Sequence, residues 1–421
     1  MDIREKRIMD EVDGLNDEIL DFTSRLVAEA STLGNEKSAL EVMENELTRL
    51  ALDPVKIPIN PDDLAKHPGF ASTPWSYEDR YNVVAVRPAN GQGGRSVLFN
   101  GHLDVVSPEP LRLWNSEPFD PFIKDGWLHG RGAGDMKSGV AAMTYALQAV
   151  EKSGFGLKAP VTIEAVIEEE CSGNGALACL NAGYDAQAVL IPEPLGLNIL
   201  TGQLGVLWFK VMISGVPRHV SEATAGVNAI EKSFVIISAL RQLEAEMNQE
   251  KHPAYQNIAH PINLNVGIIK SGDWPSTVPA EAEFHCRLSY YPGATFDQIQ
   301  ARIIQVIEQA AQDDPWLAEN RPFIVFYGFR SDGHTVDRNL PAFQVLNDCH
   351  KALTGQNAME YISTATTDLR AFHFFGQGDA TCYGPIAENI HAANERVNTK
   401  SVIQTAKVYA LFLARWCRLA E

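Results

Sequence analysis

Seven side chains, scattered along a chain of 421 residues, have the types and order that a site for two divalent ions needs. His102 and Asp104 lie in GHLDVV, Asp135 in GRGAGDMKSG, Glu169 and Glu170 in VIEEE, Glu193 in LIPEP and His391 in HAANE. A borderline ion such as zinc accepts imidazole nitrogen and carboxylate oxygen. One carboxylate can bridge two ions, and a spare carboxylate beside them can act as base on an activated water. This combination makes the chain read as an enzyme.

Singly, the signals differ in weight. His102 and Asp104 are two apart in an extended stretch, so their side chains would point the same way. A ligating histidine commonly passes its other ring N–H to a carboxylate, but for this pair alone a histidine satisfied at a strand end is the commoner reading. Gly130 to Asp135 imitates a dinucleotide loop, yet Asp135 takes the place of the third glycine. A carboxylate there would repel a pyrophosphate. The glycines instead allow close backbone approach around Asp135, which can offer one oxygen to each of two ions. A turn with an N-capping aspartate accounts for it equally well. Glu168 to Glu170 follow a buried-looking strand, where three acids are costly unless positive charge is near, and there function outweighs a solvated loop. Glu193, between two prolines, and His391 are weak alone.

The elements that must position these groups alternate between strand and helix. Asn82 to Val86, Ser96 to Asn100, Val161 to Ile167 and Ala188 to Ile191 read as buried strands, and Ser138 to Lys152 as a crossover helix. Two amphipathic helices open the chain, through Leu15, Ile19, Phe22, Leu26 and through Leu40, Met43, Leu47, Leu50. Asp53 to Arg80 reads as loop. The fold class expected is α/β, a mixed, mostly parallel sheet with helices on both faces. His102, Glu169 and Glu193 follow strands directly, so they would meet at the sheet's carboxyl edge.

From about Gly202 to Arg330 the pattern becomes βαββαβ, that of an α+β ferredoxin-like layer. Ala280, Ala282, Phe284, Cys286 and Leu288 share one strand face; Glu281, Glu283, His285 and Arg287 share the other. A capping box, Thr295 to Gln298, opens a helix with the stripe Ile299, Ile303, Ile307. The expected division is a discontinuous metal-binding domain, residues 1–201 and 331–421, with an inserted domain at 202–330. A closing helix is expected from about Lys400 to Cys417.

Composition narrows the partners. Lys plus Arg number 35 against 53 Asp plus Glu, for a net charge of -18, which argues against nucleic acid. The charged N-terminus lacks an apolar stretch before a cleavage site, no run reaches membrane-spanning length, and six cysteines show no CxxC pair. A cytoplasmic protein with reduced thiols and no membrane contact is expected.

GHLDVV, GRGAGDMKSG, IEEE, PEP and GPIAENIHAANE resemble, in order, the metal-site motifs of the acetylornithine deacetylase / succinyl-diaminopimelate desuccinylase family of dinuclear zinc metallopeptidases. Aminoacylases, glutamate carboxypeptidases and dipeptidases belong to the same family. The resemblance covers nearly the whole chain. It implies two zinc ions per subunit, with cobalt or manganese as substitutes. His102, Asp135 and Glu193 would hold one ion and Asp135, Glu170 and His391 the other, with Glu169 as general acid/base and Asp104 behind His102. It further implies that the insert makes a homodimer and that His219, in Gly215-Val216-Pro217-Arg218-His219, reaches the other subunit's site to stabilise the oxyanion. Arg287 and Gly384 fall where the family binds or lines substrate, although an ion pair with acids on its own strand face serves Arg287 equally. Ser276 stands where many members carry an asparagine. The activity implied is removal of an acyl group from an N-acylated amino acid or similar small amide. The alternatives are a carboxypeptidase or dipeptidase acting on short peptides, an N-formyl aminopyrimidine deformylase, and a non-catalytic metal-binding module.

Overall fold

The alternating apolar segments assemble into an open six-stranded sheet in the computed structural model, which describes residues 1–420. Its order is Val55–Pro58, Tyr81–Arg87, Val161–Val166, Val97–His102, Ala188–Ile191, Asp379–Cys382. The last four strands pair in parallel and the first two add antiparallel at one edge. Every residue of Val97–His102, Val161–Val166 and Ala188–Ile191 is buried, as a parallel sheet covered on both faces demands. Val83 and Ala85 point into the main core, with helices Ser138–Lys152 and Thr399–Leu413. Val84 and Val166 instead meet Cys179 of helix Asn174–Asn181 on the opposite face.

A second hydrophobic core lies in the middle of the chain. Strands Gly205–Ser214, Leu264–Ser271, Glu281–Tyr290 and Phe323–Ser331 form an antiparallel sheet ordered Leu264–Ser271, Glu281–Tyr290, Gly205–Ser214, Phe323–Ser331. Helices Ala229–Gln249 and Phe296–Gln312 supply its βαββαβ connections. Phe284, Cys286 and Leu288 face this core with Ile299, Ile303 and Ile307. The capping box forms, with Thr295 Oγ1 accepting from Gln298 N and Gln298 Oε1 accepting from Thr295 N.

Two expectations change. Asp53 to Arg80 is not all loop: Val55–Pro58 is the sheet's outer strand and Pro61–Leu64 a turn of helix. Val55, Lys56 and Pro58 are exposed and Ile57 is half-buried, so this outer strand has no buried stripe to read. The closing α-helix ends at Leu413 and widens over Ala414–Arg418, because Leu419–Ala420 turns back to pair with Gly156–Leu157. Ile199–Gln203 forms a separate small sheet with His334–Thr335 and Glu360–Ser363. All six cysteines are buried and free. Among the described residues, no helix is long and apolar enough to cross a membrane.

Candidate metal centre and active site

His102 is the last residue of its strand rather than a residue past its end, and both of its ring nitrogens face oxygen. Nδ1 lies 2.9 Å from the Asp104 carbonyl oxygen and Nε2 lies 3.1 Å from Asp135 Oδ1. Neither oxygen can donate, so the ring is either doubly protonated or shares a cation with Asp135. The other Asp135 oxygen, Oδ2, lies 3.5 Å from His391 Nε2, which is also 3.0 Å from Glu170 Oε2. Asp135 therefore presents one oxygen to each histidine. Ligand atoms of His102, Asp135 and Glu170 all lie within 4.8 Å of one another.

Glu169 approaches the same cluster without joining it by a hydrogen bond. Its Oε2 lies 3.9 Å from His102 Nε2, and its Oε1 is buried without a partner. Glu193 is also buried with an unpartnered Oε1, and its charge acts on Glu169 and is itself opposed by Asp135. The Asp104 carboxylate stands 3.6 Å from His102 Nδ1. It also accepts from the backbone N–H groups of Glu169 at 3.4 Å and Glu170 at 3.1 Å, a role the sequence did not suggest.

Neighbouring groups hold the cluster in place. Glu395, four residues after His391 in HAANE, accepts from Gly134 N at 2.8 Å and Asp135 N at 3.0 Å and is anchored by Arg131 at 2.6 Å. A side chain at Gly134 would sit 2.6 Å from Ala387 Cβ, which is why this loop needs glycine. Gly384 backs onto the loop of Glu193: a Cβ there would come within 2.2 Å of the Glu193 carbonyl oxygen. Asp368 was missed. It is buried beside Arg370, at 3.6 Å, with both carboxylate oxygens free of hydrogen bonds. TTD on a polar turn carries no periodic signal that could have exposed it.

The electrostatics are those of a site with excess negative charge. Burial lowers His102, but Asp135, Asp104 and Glu169 outweigh it and hold the ring well above the usual histidine range. Glu170, with Asp135, pushes His391 up to about 11 against the cost of burial. Burial drives Glu169 well above the carboxylate range, opposed by His102 and reinforced by Glu193, Asp368 and Glu170. Burial raises Asp104 to about 7, with His102 pulling the other way. Five carboxylates around two imidazoles, with buried oxygens left unpartnered, fit a divalent cation, which would supply the missing positive charge.

Among the described residues, His219, Ser276 and Arg287 make no hydrogen bond or ion pair with this cluster. His219 is exposed and its Nδ1 is engaged by Ser221. Ser276 lies beside it, since Val220 N donates to the Ser276 carbonyl at 3.0 Å. Arg287 forms no ion pair among the described residues: Glu283, four residues away on the same strand, is out of reach and pairs with Lys210 and His285, and burial lowers the Arg287 pKa.

A cluster of carboxylates and histidines at the carboxyl edge of a parallel sheet, in a chain that also carries a βαββαβ layer, defines the chain as a metal-dependent hydrolase of amide bonds. The profile of Peptidase family M20/M25/M40 matches residues 98–415, and the chain belongs to that family. It is 28% identical to the N-formyl-4-amino-5-aminomethyl-2-methylpyrimidine deformylase of Bacillus subtilis (strain 168) over 371 residues, covering 83% of this chain and 86% of the relative. It is 25% identical to the succinyl-diaminopimelate desuccinylase of Nitrosomonas europaea, covering 82% of this chain and 89% of the relative. The fold resembles human carnosine dipeptidase 1 with a TM-score of 0.76 at 16% identity, over 98% of this chain and 100% of that one.

Proposed function

We propose that the chain removes a short acyl group from the nitrogen of a small amine or amino acid. The observation that carries this is the convergence of His102, Asp135, Glu170 and His391, with the unpartnered Glu169 carboxylate beside them. In this reading His102, Asp135 and Glu193 hold one divalent ion, and Asp135, Glu170 and His391 hold a second, zinc being the first choice and cobalt or manganese alternatives. When bound, the ions acidify a water and polarise the amide carbonyl. Glu169 takes the proton of the attacking water on its free oxygen and returns it to the departing amine nitrogen, the same group serving as base and then acid. Asp104 keeps the His102 proton on Nδ1, leaving Nε2 free to ligate.

The remaining roles belong to a homodimer of this chain, in the cytoplasm. Strand Leu264–Ser271 has a free outer edge and exposes Ile268 and Ile269, which supports pairing of two inserts. His219 of one copy then donates to the oxyanion in the other copy's site, with Ser276 next to it, while Arg287 and Gly384 line the substrate's far end. The division at 201/202 and 330/331 belongs to the same proposal, and the two separate cores support it.

A second reading, release of formate from a formylated aminopyrimidine, is supported by the two deformylases among the relatives. The test is a panel of N-formyl, N-acetyl and N-succinyl amines and amino acids beside dipeptides, with the metal-loaded protein. Turnover of N-acyl amino acids is expected. Turnover of the formyl pyrimidine alone selects the second reading, and cleavage of dipeptides alone overturns both.

A further inference from the structure

Glu168 precedes the base by one residue and is fully buried, yet the reaction gives it no task. Its φ is 77°, a left-handed conformation that a side-chain-bearing residue holds only under constraint. Its carbonyl accepts from the N–H groups of Cys171 at 3.3 Å, Ser172 at 2.9 Å and Gly173 at 2.7 Å. Its carboxylate accepts from Trp75 Nε1 at 2.9 Å, from the Tyr77 hydroxyl at 2.7 Å and from Ser172 Oγ, and it pairs with Arg80 at 2.6 Å. Asn174 ties the same elements again, donating to Tyr77 Oη at 2.9 Å and bonding both the N–H and the carbonyl of Ala71. Ser72, in the same segment, accepts from Gly328 N at 2.8 Å in a strand of the second core.

The Glu169 side chain has no comparable anchor. One oxygen is unpartnered, and among the described residues the hydrogen bond that Glu169 itself makes is the 3.4 Å contact from its N–H to Asp104. The direction of that carboxylate is therefore set by the backbone that precedes it. We propose that Glu168 is a positioning residue for Glu169, and that the segment Ala71 to Arg80 acts through it to aim the base. This rests on Glu169 being the base. A buried acid satisfied by four donors also stabilises the fold, so the test must separate aim from stability.

Four substitutions do so: Tyr77→Phe and Trp75→Phe, which each remove one donor, and Glu168→Gln and Glu168→Asp. Each is assayed with zinc on N-acetyl- and N-formyl-L-methionine, with zinc content and amide hydrogen exchange measured on the same samples. Glu168→Gln is expected to lower kcat by about 10²-fold, the cost of roughly an ångström of misplacement, with KM changed less than about threefold and zinc retained. Glu168→Asp recovers part of the loss. Tyr77→Phe and Trp75→Phe each lower kcat by smaller factors, and exchange at Cys171 to Gly173 quickens in all four. Parental kcat in a folded Glu168→Gln, or losses that track missing zinc or KM, overturn the proposal. If Glu168→Gln does not fold, unchanged kcat and exchange in Tyr77→Phe and Trp75→Phe overturn it. Parental turnover by Glu169→Ala would instead remove the base assignment, a failure distinguishable because exchange at Cys171 to Gly173 reports the Glu168 anchor without any substrate.

Discussion

Replacing Asp104 by asparagine keeps the shape of the side chain and removes its charge. In the parent, Oδ2 accepts from Glu170 N at 3.1 Å and Oδ1 from Glu169 N at 3.4 Å, while Oδ1 stands 3.6 Å from His102 Nδ1. Asparagine offers one oxygen, so its NH₂ group must oppose one of the two backbone N–H groups. A buried donor left unpaired costs about 1–3 kcal/mol, which falls on the loop that presents Glu169 and Glu170. The Asp104 carbonyl still accepts from His102 Nδ1 at 2.9 Å and keeps the tautomer, but removing the negative charge 3.6 Å from that nitrogen weakens the imidazole as a ligand, an effect of about 10–100-fold in metal affinity or activity. Asp104→Asn should therefore bind zinc about 10–100-fold more weakly in competition with a chelating dye. Its kcat should stay depressed when zinc is saturating, because the loop remains loosened. A zinc affinity and a saturated kcat both within twofold of the parent would refute the reasoning.

Burial raises Glu164 to about 8, against hydrogen bonding from Asn100 and with Asp368 and Asp185 adding to the rise. The folded chain thus keeps a proton that the unfolded chain releases near pH 4.3. Stability falls as pH rises from there to about 8 and then levels. Glu164→Gln should raise Tm at pH 8.5, by the equivalent of a few kcal/mol at about 1.4 kcal/mol per pH unit, and leave it nearly unchanged at pH 4; equal gains at both pH values would contradict this. His219→Ala should lower kcat by about 10²–10³-fold with metal retained. Mixing it with Glu169→Ala subunits should recover activity that neither has alone, and no recovery would place His219 outside the partner's site. Dialysis against a chelator should abolish turnover and zinc should restore it, whereas activity that survives chelation would exclude the metal.

The strands that matter were legible because they are buried on both faces: Ala188 to Ile191 and the helix Ser138 to Lys152 carry the expected bounds. The insert was legible for a different reason, the strict alternation along Glu281–Tyr290 and the stripe Ile299, Ile303, Ile307. Short elements in the last ninety residues were not, since Glu360–Ser363 and Asp379–Cys382 lack the unbroken apolar run that marks the equally short Ala188–Ile191. Among the site groups, the residues that follow apolar strands announced themselves. The supports did not: Glu395, Asp368 and the Trp75, Tyr77 and Arg80 set around Glu168 act through tertiary contacts separated by about ninety residues or more, or through buried charge with no local pattern. The sequence did show that three adjacent acids needed positive charge; Arg80 supplies it to Glu168 and His391 to Glu170.

The central claim is that the carboxylates and histidines bind metal while Glu169 stays free to move a proton. Metal content and turnover of purified Glu169→Ala, measured side by side with the parent, test it most directly. Two ions per chain with turnover all but lost is the expected outcome. Loss of an ion on substitution would make Glu169 a ligand, and retained turnover would leave the proton without a carrier.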